Sequence, residues 1–340
     1  MAGAAVGLKN PPYEVVLKPY GQALVELARR RPEVICLGAD LTRQTETDLF
    51  RDQIPERFIN VGMAEANMVG IAGGLARAGH TVFANSFGVF STRRCYDQIA
   101  MAIAYPNLDV KIVGFMPGIS SPGGPSHQAI DDVALMRALP NMTVIDLADA
   151  TEIRQAVAEV AAHRGPVYLR LKRGEIPVIF DDSHRFSLRA AQVIVAGGDV
   201  CIVASGMMVP AALAAARTLA GHGVSAAVVN SPVVKPLDAA TIVGAARGTS
   251  VIVTAENHSI VGGLGSAVAE ALAEAGVGVP LRRIGLADCF AESGSREYLF
   301  EKYGLGVQNI VDAAWAAVAP GRAAPHAPAM PVIPGTYAPV

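Results

Sequence analysis

The sequence predicts an α/β protein of two domains, each built on a mostly parallel sheet. Three observations carry that prediction. Short continuous runs of Val, Ile and Leu recur along the chain, separated by stretches of amphipathic helical period, which is the pattern of strands covered by helices on both faces. The 340 residues are 51% hydrophobic, enough for more than one core. One segment, Arg173 to Ser187, breaks the rhythm with Gly174, Pro177, Asp181 and Asp182, as a linker does.

The first series of expected strands is Val34–Gly38, Phe58–Val61, Thr81–Ala84, Val110–Gly114, Thr143–Ile145 and Val167–Leu171. The second is Val200–Ala204, Ala226–Asn230, Val251–Ala255 and Leu281–Ile284. A smooth apolar helix is expected from Asn67 to Ala78. The domains are placed at 13–180 and 188–319. From Pro320 the chain is rich in Pro and Ala without periodicity, so 320–340 is expected to be disordered or draped on a partner.

Net charge is −2 and the longest basic run is Arg29-Arg30-Arg31, which speaks against nucleic acid or an anionic membrane as partner. Apolar stretches are interrupted before membrane-spanning length, and the N-terminus lacks a signal-peptide core. Cys36, Cys95, Cys201 and Cys289 are scattered without a C-x-x-C. Reduced, mostly buried thiols are expected, with Cys201 and Cys289 in the core and no metal held by this chain. The location expected is cytoplasmic.

Ligands of such sheets gather beyond the carboxyl ends of the strands. There, Phe58–Val61 stops at Gly62, and Glu65 follows among small apolar residues at a strand-to-helix junction. A first-turn Glu also complements the helix dipole without any further task, and at this point both readings stand. Next come Asn85-Ser-Phe-Gly-Val-Phe90 and Arg93-Arg-Cys-Tyr-Asp-Gln98. Phe87 and Phe90, one helical turn apart, either offer an aromatic face or pack in the core. Finally a bent Gly/Pro/Ser loop, Met116 to Gln128, ends in His127 just before a helix, the form of an active-site loop.

In their order and spacing these pieces resemble the transketolase family of thiamine-diphosphate enzymes. The likeness is to the C-terminal half of a full-length transketolase, or to the small subunit of a split one, and runs from Tyr20 to Val318. Ala39-Asp-Leu-Thr42, Gly62-Met-Ala-Glu65, Ser86-Phe-Gly-Val-Phe90, Gly124-Pro-Ser-His-Gln128 and Arg173-Gly174 match motifs of the first domain. Thr254-Ala-Glu-Asn-His258 with Gly262-Gly-Leu-Gly265 resembles the signature of the second.

The resemblance implies a pyrimidine-binding domain followed by a transketolase C-terminal domain. It implies that Glu65 activates thiamine diphosphate through the aminopyrimidine nitrogen, with Phe87 and Phe90 as an apolar floor under that ring. Asp40 would lie near the cofactor across the interface, though an Asp after a strand also caps a turn without further task, and His127 would meet a hydroxyl or the developing alkoxide of the two-carbon fragment. Arg173 would contact an anionic group of the substrate, with Lys18 standing in for an Arg that is common upstream of Tyr20-Gly21. Glu256 and His258 are read as interface residues in a second-domain loop. The Gly262–Gly265 loop lacks dinucleotide-binding spacing and is read as close helix packing.

No Gly-Asp-Gly with a suitably placed downstream Asn occurs, the family's pattern for the diphosphate and Mg2+. The resemblance therefore implies a large partner subunit that supplies this half of the site, in an α2β2 complex. Three positions depart from the pentose-phosphate pattern. Pro122-Gly123-Gly124 stands where those enzymes carry a hydroxyl-reading Asp, Phe115 where they place a phosphate-binding His, and Leu17 where an Arg is common. These departures imply a substrate other than the usual xylulose and ribose phosphates. The activity expected is transfer of a two-carbon ketol unit from a ketose to an aldehyde. The alternatives are the β subunit of a 2-oxo-acid or acetoin dehydrogenase, a deoxyxylulose-phosphate synthase-like enzyme, suggested by Arg94-Cys-Tyr-Asp-Gln98, and a non-catalytic partner subunit.

Overall fold

The computed structural model describes residues 7–329. In chain order its strands are β1 Val15–Leu17, β2 Val34–Gly38, β3 Phe58–Asn60, β4 Thr81–Phe87, β5 Val110–Phe115, β6 Thr143–Asp146 and β7 Val167–Leu171. There follow β8 Glu175–Pro177, β9 Gln192–Val195, β10 Val200–Ala204, β11 Ala226–Asn230, β12 Val233–Lys235, β13 Val251–Ser259 and β14 Leu281–Leu286. One seven-stranded sheet has the order β12-β6-β7-β5-β4-β2-β3, and a five-stranded sheet the order β14-β13-β10-β11-β9. Within them only the edge strands β12 and β9 run antiparallel to their neighbours.

The continuous apolar runs have the expected physical meaning. β2, β4, β5, β7, β10 and β11 are buried at every residue, because helices cover both faces. The helix Glu65–Arg77 buries Glu65, Met68, Val69, Ala72 and Gly73, the i, i+3, i+4, i+7, i+8 stripe of a core-facing helix. At Gly73 a side chain is excluded, since a Cβ there would lie 2.7 Å from the Ala102 carbonyl oxygen. That approach seats the helix on the π-helical segment Ile99–Ala104.

Several expectations need correction. The segment from Arg173 to Ser187 is no slack linker: it contains β8, paired with β1, and buries Ile176, Ile179 and Phe180 completely. Asp149, which caps the helix Ala150–Ala162, also accepts from the amides of Ile179 and Phe180, each at 2.8 Å. A tertiary partner replaced the missing periodicity. Likewise, residues 320–329 are not disordered. Gln308 donates to the Pro325 carbonyl and accepts from the Ala327 amide, and Ala327 is buried; the remainder of the expected tail lies outside the described residues. Cys289 is exposed, whereas Cys36, Cys95 and Cys201 are buried. Glu256 and His258 lie not in a loop but inside β13, which continues past Ala255 to Ser259.

The two units share one interior. β12 leaves the second sheet's region and pairs with β6 at the edge of the first sheet. Between the sheets lies a buried charged cluster: Arg170 donates to Asp132 at 2.7 and 3.0 Å, to Asp146 at 3.3 Å and to the carbonyls of Ala129 and Asn257. Tyr168 and Ser205 supply further donors to Asp132 and Asp146. Removing one member of such a set costs about 3–5 kcal/mol, because the remaining charge is left buried and unpaired.

Candidate active site

The carboxyl ends of β3, β4 and β5 bring the predicted residues together. β3 ends at Asn60, Gly62 turns the chain with φ 73°, and Glu65 opens the following helix. It is 2% exposed. The Glu65 Oε2 atom accepts from Arg94 Nη1 at 2.9 Å, and Oε1 accepts from Ser86 Oγ at 3.4 Å. Ser86 lies at the end of β4, one residue before Phe87.

Phe87 and Phe90 do not share a helical face, as their spacing suggested. Phe87 closes β4 and Phe90 sits in the short helix Gly88–Thr92. The strand-to-helix turn nevertheless stacks the two rings, 5.9 Å apart at 24°. The His127 ring meets Phe90 edge-on at 5.2 Å and Phe87 at 6.5 Å. Its Nδ1 is 2.9 Å from Ser126 Oγ. Arg94 completes the group, its guanidinium carbon 4.3 Å over the Phe90 ring. Arg94 and Ser86 were not among the expected site residues, although both lie in the motifs Ser86–Phe90 and Arg94–Gln98.

The other candidates take separate places. Arg173 follows β7 at the same sheet edge, half-buried, and among the described residues no hydrogen bond or ion pair engages its guanidinium. Lys18 precedes the helix Pro19–Arg30 and pairs with Asp48 at 2.5 Å. Asp40 is exposed after β2, with φ 61°, and its amide donates to Asn60 Oδ1. Neither Lys18 nor Asp40 shares a hydrogen bond or ion pair with the Glu65 group.

Two departures from the pentose-phosphate pattern now have a structural form. Phe115 is fully buried at the end of β5 and meets Tyr20 edge-on at 5.6 Å, so that position is core and offers no anion contact. Gly123 lies against His127: a Cβ at 123 would be 3.0 Å from both Cβ and Cγ of the histidine.

In the second domain, Glu256 pins a helix. Its Oε2 and Oε1 accept from the amides of Leu264 and Gly265 at 2.6 and 2.8 Å, at the start of the helix Leu264–Glu274. Gly263 leaves no room for a side chain, since a Cβ would lie 1.9 Å from that carboxylate. This is close helix packing, as expected. Burial pushes Glu256 up to about 7 despite the two amide donors, and pushes His258 down to about 4.

A buried carboxylate beside a stacked aromatic pair suits an aminopyrimidine, which needs an acceptor at a ring nitrogen and a flat apolar surface. Glu65 and Phe87/Phe90 therefore fit that half of thiamine diphosphate. Fold and site together define a pyrimidine-binding α/β domain joined to a second α/β domain. The chain belongs to the transketolase family, a thiamine-diphosphate-dependent one: residues 16–178 match its pyrimidine binding domain and 189–310 its C-terminal domain.

Among its relatives is the 6-deoxy-6-sulfo-D-fructose transketolase subunit SqwH of Clostridium sp. (strain MSTE9), 44% identical over 312 residues, covering 90% of this chain and 97% of that one. A solved split gene transketolase, described as an inactive β4 tetramer, is also 44% identical, with a TM-score of 0.83 over 90% of this chain and 98% of that one. The 1-deoxy-D-xylulose-5-phosphate synthase 1 of Geobacter sulfurreducens (strain ATCC 51573 / DSM 12127 / PCA) is 36% identical over 92% of this chain, but over only 49% of its own length.

Proposed function

We propose that this chain is the small subunit of a split transketolase, transferring a two-carbon ketol unit from a ketose to an aldehyde. The observation that carries this reading is the convergence of Glu65, Phe87, Phe90 and His127 at one sheet edge. Coverage of nearly the whole of a relative that is itself named a subunit supports it. A large subunit would hold the diphosphate and Mg2+, in a cytoplasmic α2β2 complex. Bound thiamine diphosphate supplies a carbanion and an electron sink for the two-carbon fragment.

Within this chain, Glu65 presents a carboxyl oxygen to the pyrimidine nitrogen, and Ser86 and Arg94 fix its orientation. Phe87 and Phe90 exclude water from that contact. His127, held edge-on to Phe90, donates to or accepts from a hydroxyl of the fragment. Arg173 binds the anionic end of the sugar by charge-assisted hydrogen bonds. With Phe115 in the core and Gly123 in place of an acid, that sugar is a ketose bearing a sulfonate or phosphate and read differently from the pentose phosphates.

The test reconstitutes the chain with a candidate large subunit, thiamine diphosphate and Mg2+, across ketose phosphates, ketose sulfonates, 2-oxo acids and aldehyde acceptors. Ketol transfer that needs both chains is expected. Turnover of 2-oxo acids alone, or a stable cofactor-loaded complex silent on every ketose, would overturn the proposal.

A further inference from the structure

The loop that carries His127 is held partly from outside its own domain. Within the loop, Ser120 and Gly118 bond to Pro117 and Ala129, and His127 to Gly124. The first domain holds the loop at its two ends, where the Met116 amide donates to the Leu171 carbonyl and Arg93 to the Gln128 carbonyl; the anchors of its middle come from the second domain. Asn257 of β13, 1% exposed, uses both ends of its side-chain amide: Oδ1 accepts from the Ile119 amide at 3.0 Å, and Nδ2 donates to the Pro117 carbonyl at 2.9 Å. One donor and one acceptor on the loop backbone allow a single orientation of that amide.

The approach is too close for substitution. A Cβ on Gly118, which has φ +55°, would lie 2.1 Å from both the carbonyl oxygen and Oδ1 of Asn257. The Ile119 side chain is buried with Met207, Met208 and Ala255 in the second domain's core. At the loop's far end the Gln128 side-chain amide donates to the Glu292 carbonyl at 3.1 Å, and Gly124, with φ +73°, abuts Ser293, whose Oγ would be 2.5 Å from a Cβ there. The Asn257 carbonyl oxygen also accepts from Arg170 Nη2, and the same Nη2 reaches Ala129 just past His127.

We infer that Asn257 is a positioning residue: the second domain sets the place of His127 by gripping the backbone of its loop. Loops of this length and glycine content are mobile by default, whereas a group that orients a reacting hydroxyl must be held to a fraction of an ångström. The inference rests on the proposed role of His127, and its structural half stands apart from that role.

Hydrogen exchange on the full chain tests the structural half, and kinetics with the large subunit tests the consequence. In Asn257→Ala, amides of 116–128 exchange at least tenfold faster while those of β4 and β10 hold. The kcat for ketol transfer falls at least tenfold, and thiamine diphosphate affinity, read by fluorescence titration of the complex, stays within twofold. Adding Asn257→Ala to His127→Ala lowers kcat no further, because both act through one group. Gln128→Met removes the tether at the Glu292 carbonyl, together with the Gln128 bond to the Ser121 carbonyl within the loop, without touching β13; it gives the same pattern more weakly and replaces Asn257→Ala if that variant does not fold. Unchanged loop exchange overturns the inference, as does a kcat loss that adds in full to that of His127→Ala. A complex with no ketol transfer at all sinks the proposed function instead, and the exchange data still decide whether Asn257 holds the loop.

Discussion

Arg94 grips Glu65 and covers Phe90 at once, with Nη1 2.9 Å from the carboxylate and Cζ 4.3 Å from the ring centroid. The two contacts fix a buried carboxyl beside the aromatic pair. Glu65→Gln keeps the shape and a bond to Ser86 but loses the acidic oxygen. Ketol transfer by the assembled complex is expected to fall at least 100-fold, about 3 kcal/mol of barrier. Stability should change little, since the Arg94 side chain is 50% exposed and its charge stays solvated when the buried carboxylate becomes a neutral amide. Steady-state kinetics beside a melting curve checks both, and retention of even a tenth of the activity would sink the catalytic reading.

The contact of Gly123 with His127 gives a graded pair of variants. His127→Ala removes the hydroxyl partner, and kcat should fall by roughly 100–1,000-fold, the scale of one hydrogen bond made to a reacting group. Gly123→Ala keeps the imidazole but adds a Cβ 3.0 Å from it, so a smaller loss, roughly threefold to tenfold, is expected from displacement alone. Equal effects of the two changes would mean that crowding, and not the imidazole, governs the rate.

Arg173 should act on binding more than on chemistry. Arg173→Ala is expected to raise KM for an anionic ketose by about tenfold or more, with kcat nearly unchanged. Lysine at this position should restore part of the affinity, because a point charge replaces a bidentate fork. A neutral ketose of the same length should hardly notice either change. Equal KM shifts for charged and neutral donors would place the anion elsewhere.

The sequence showed the elements whose reason is local and hid those whose reason is tertiary. β7, β10 and β11 were legible to the residue, because a strand buried on both faces must be apolar throughout. β12 was not, since three residues after Pro232 become a strand only when β6 of the other domain lies alongside. β8 was missed for the same reason, being paired with β1. In the site, Glu65, Phe87, Phe90 and His127 were found as a set through motif order. The Arg94 contact escaped because a half-exposed arginine in a short helical stretch carries no sign of its partner. Asn257 escaped because its task lies on the backbone of a loop far away in sequence, which no side-chain pattern records.

Glu256 and His258, neighbours inside β13, should give opposite pH dependences. Burial pushes His258 down to about 4 from its ordinary 6.5. Between those values the unfolded chain takes up a proton that the native one refuses. Stability present above pH 6.5 is therefore lost on acidification, by roughly 3 kcal/mol. Burial raises Glu256 to about 7 from 4.5, so there the native state keeps a proton that the unfolded chain releases, and acidification through that window stabilises the fold. In the parent the two nearly cancel between pH 4.5 and 6.5. His258→Asn leaves the Glu256 trend alone, and its melting temperature relative to the parent should rise as pH is lowered from 7 to 5. Glu256→Gln leaves the His258 trend alone, and its relative melting temperature should fall over the same range. Melting curves of the three proteins at pH 5, 6, 7 and 8 measure both differences. Parallel profiles would mean that neither group changes its protonation preference on folding, and that β13 is held by packing alone.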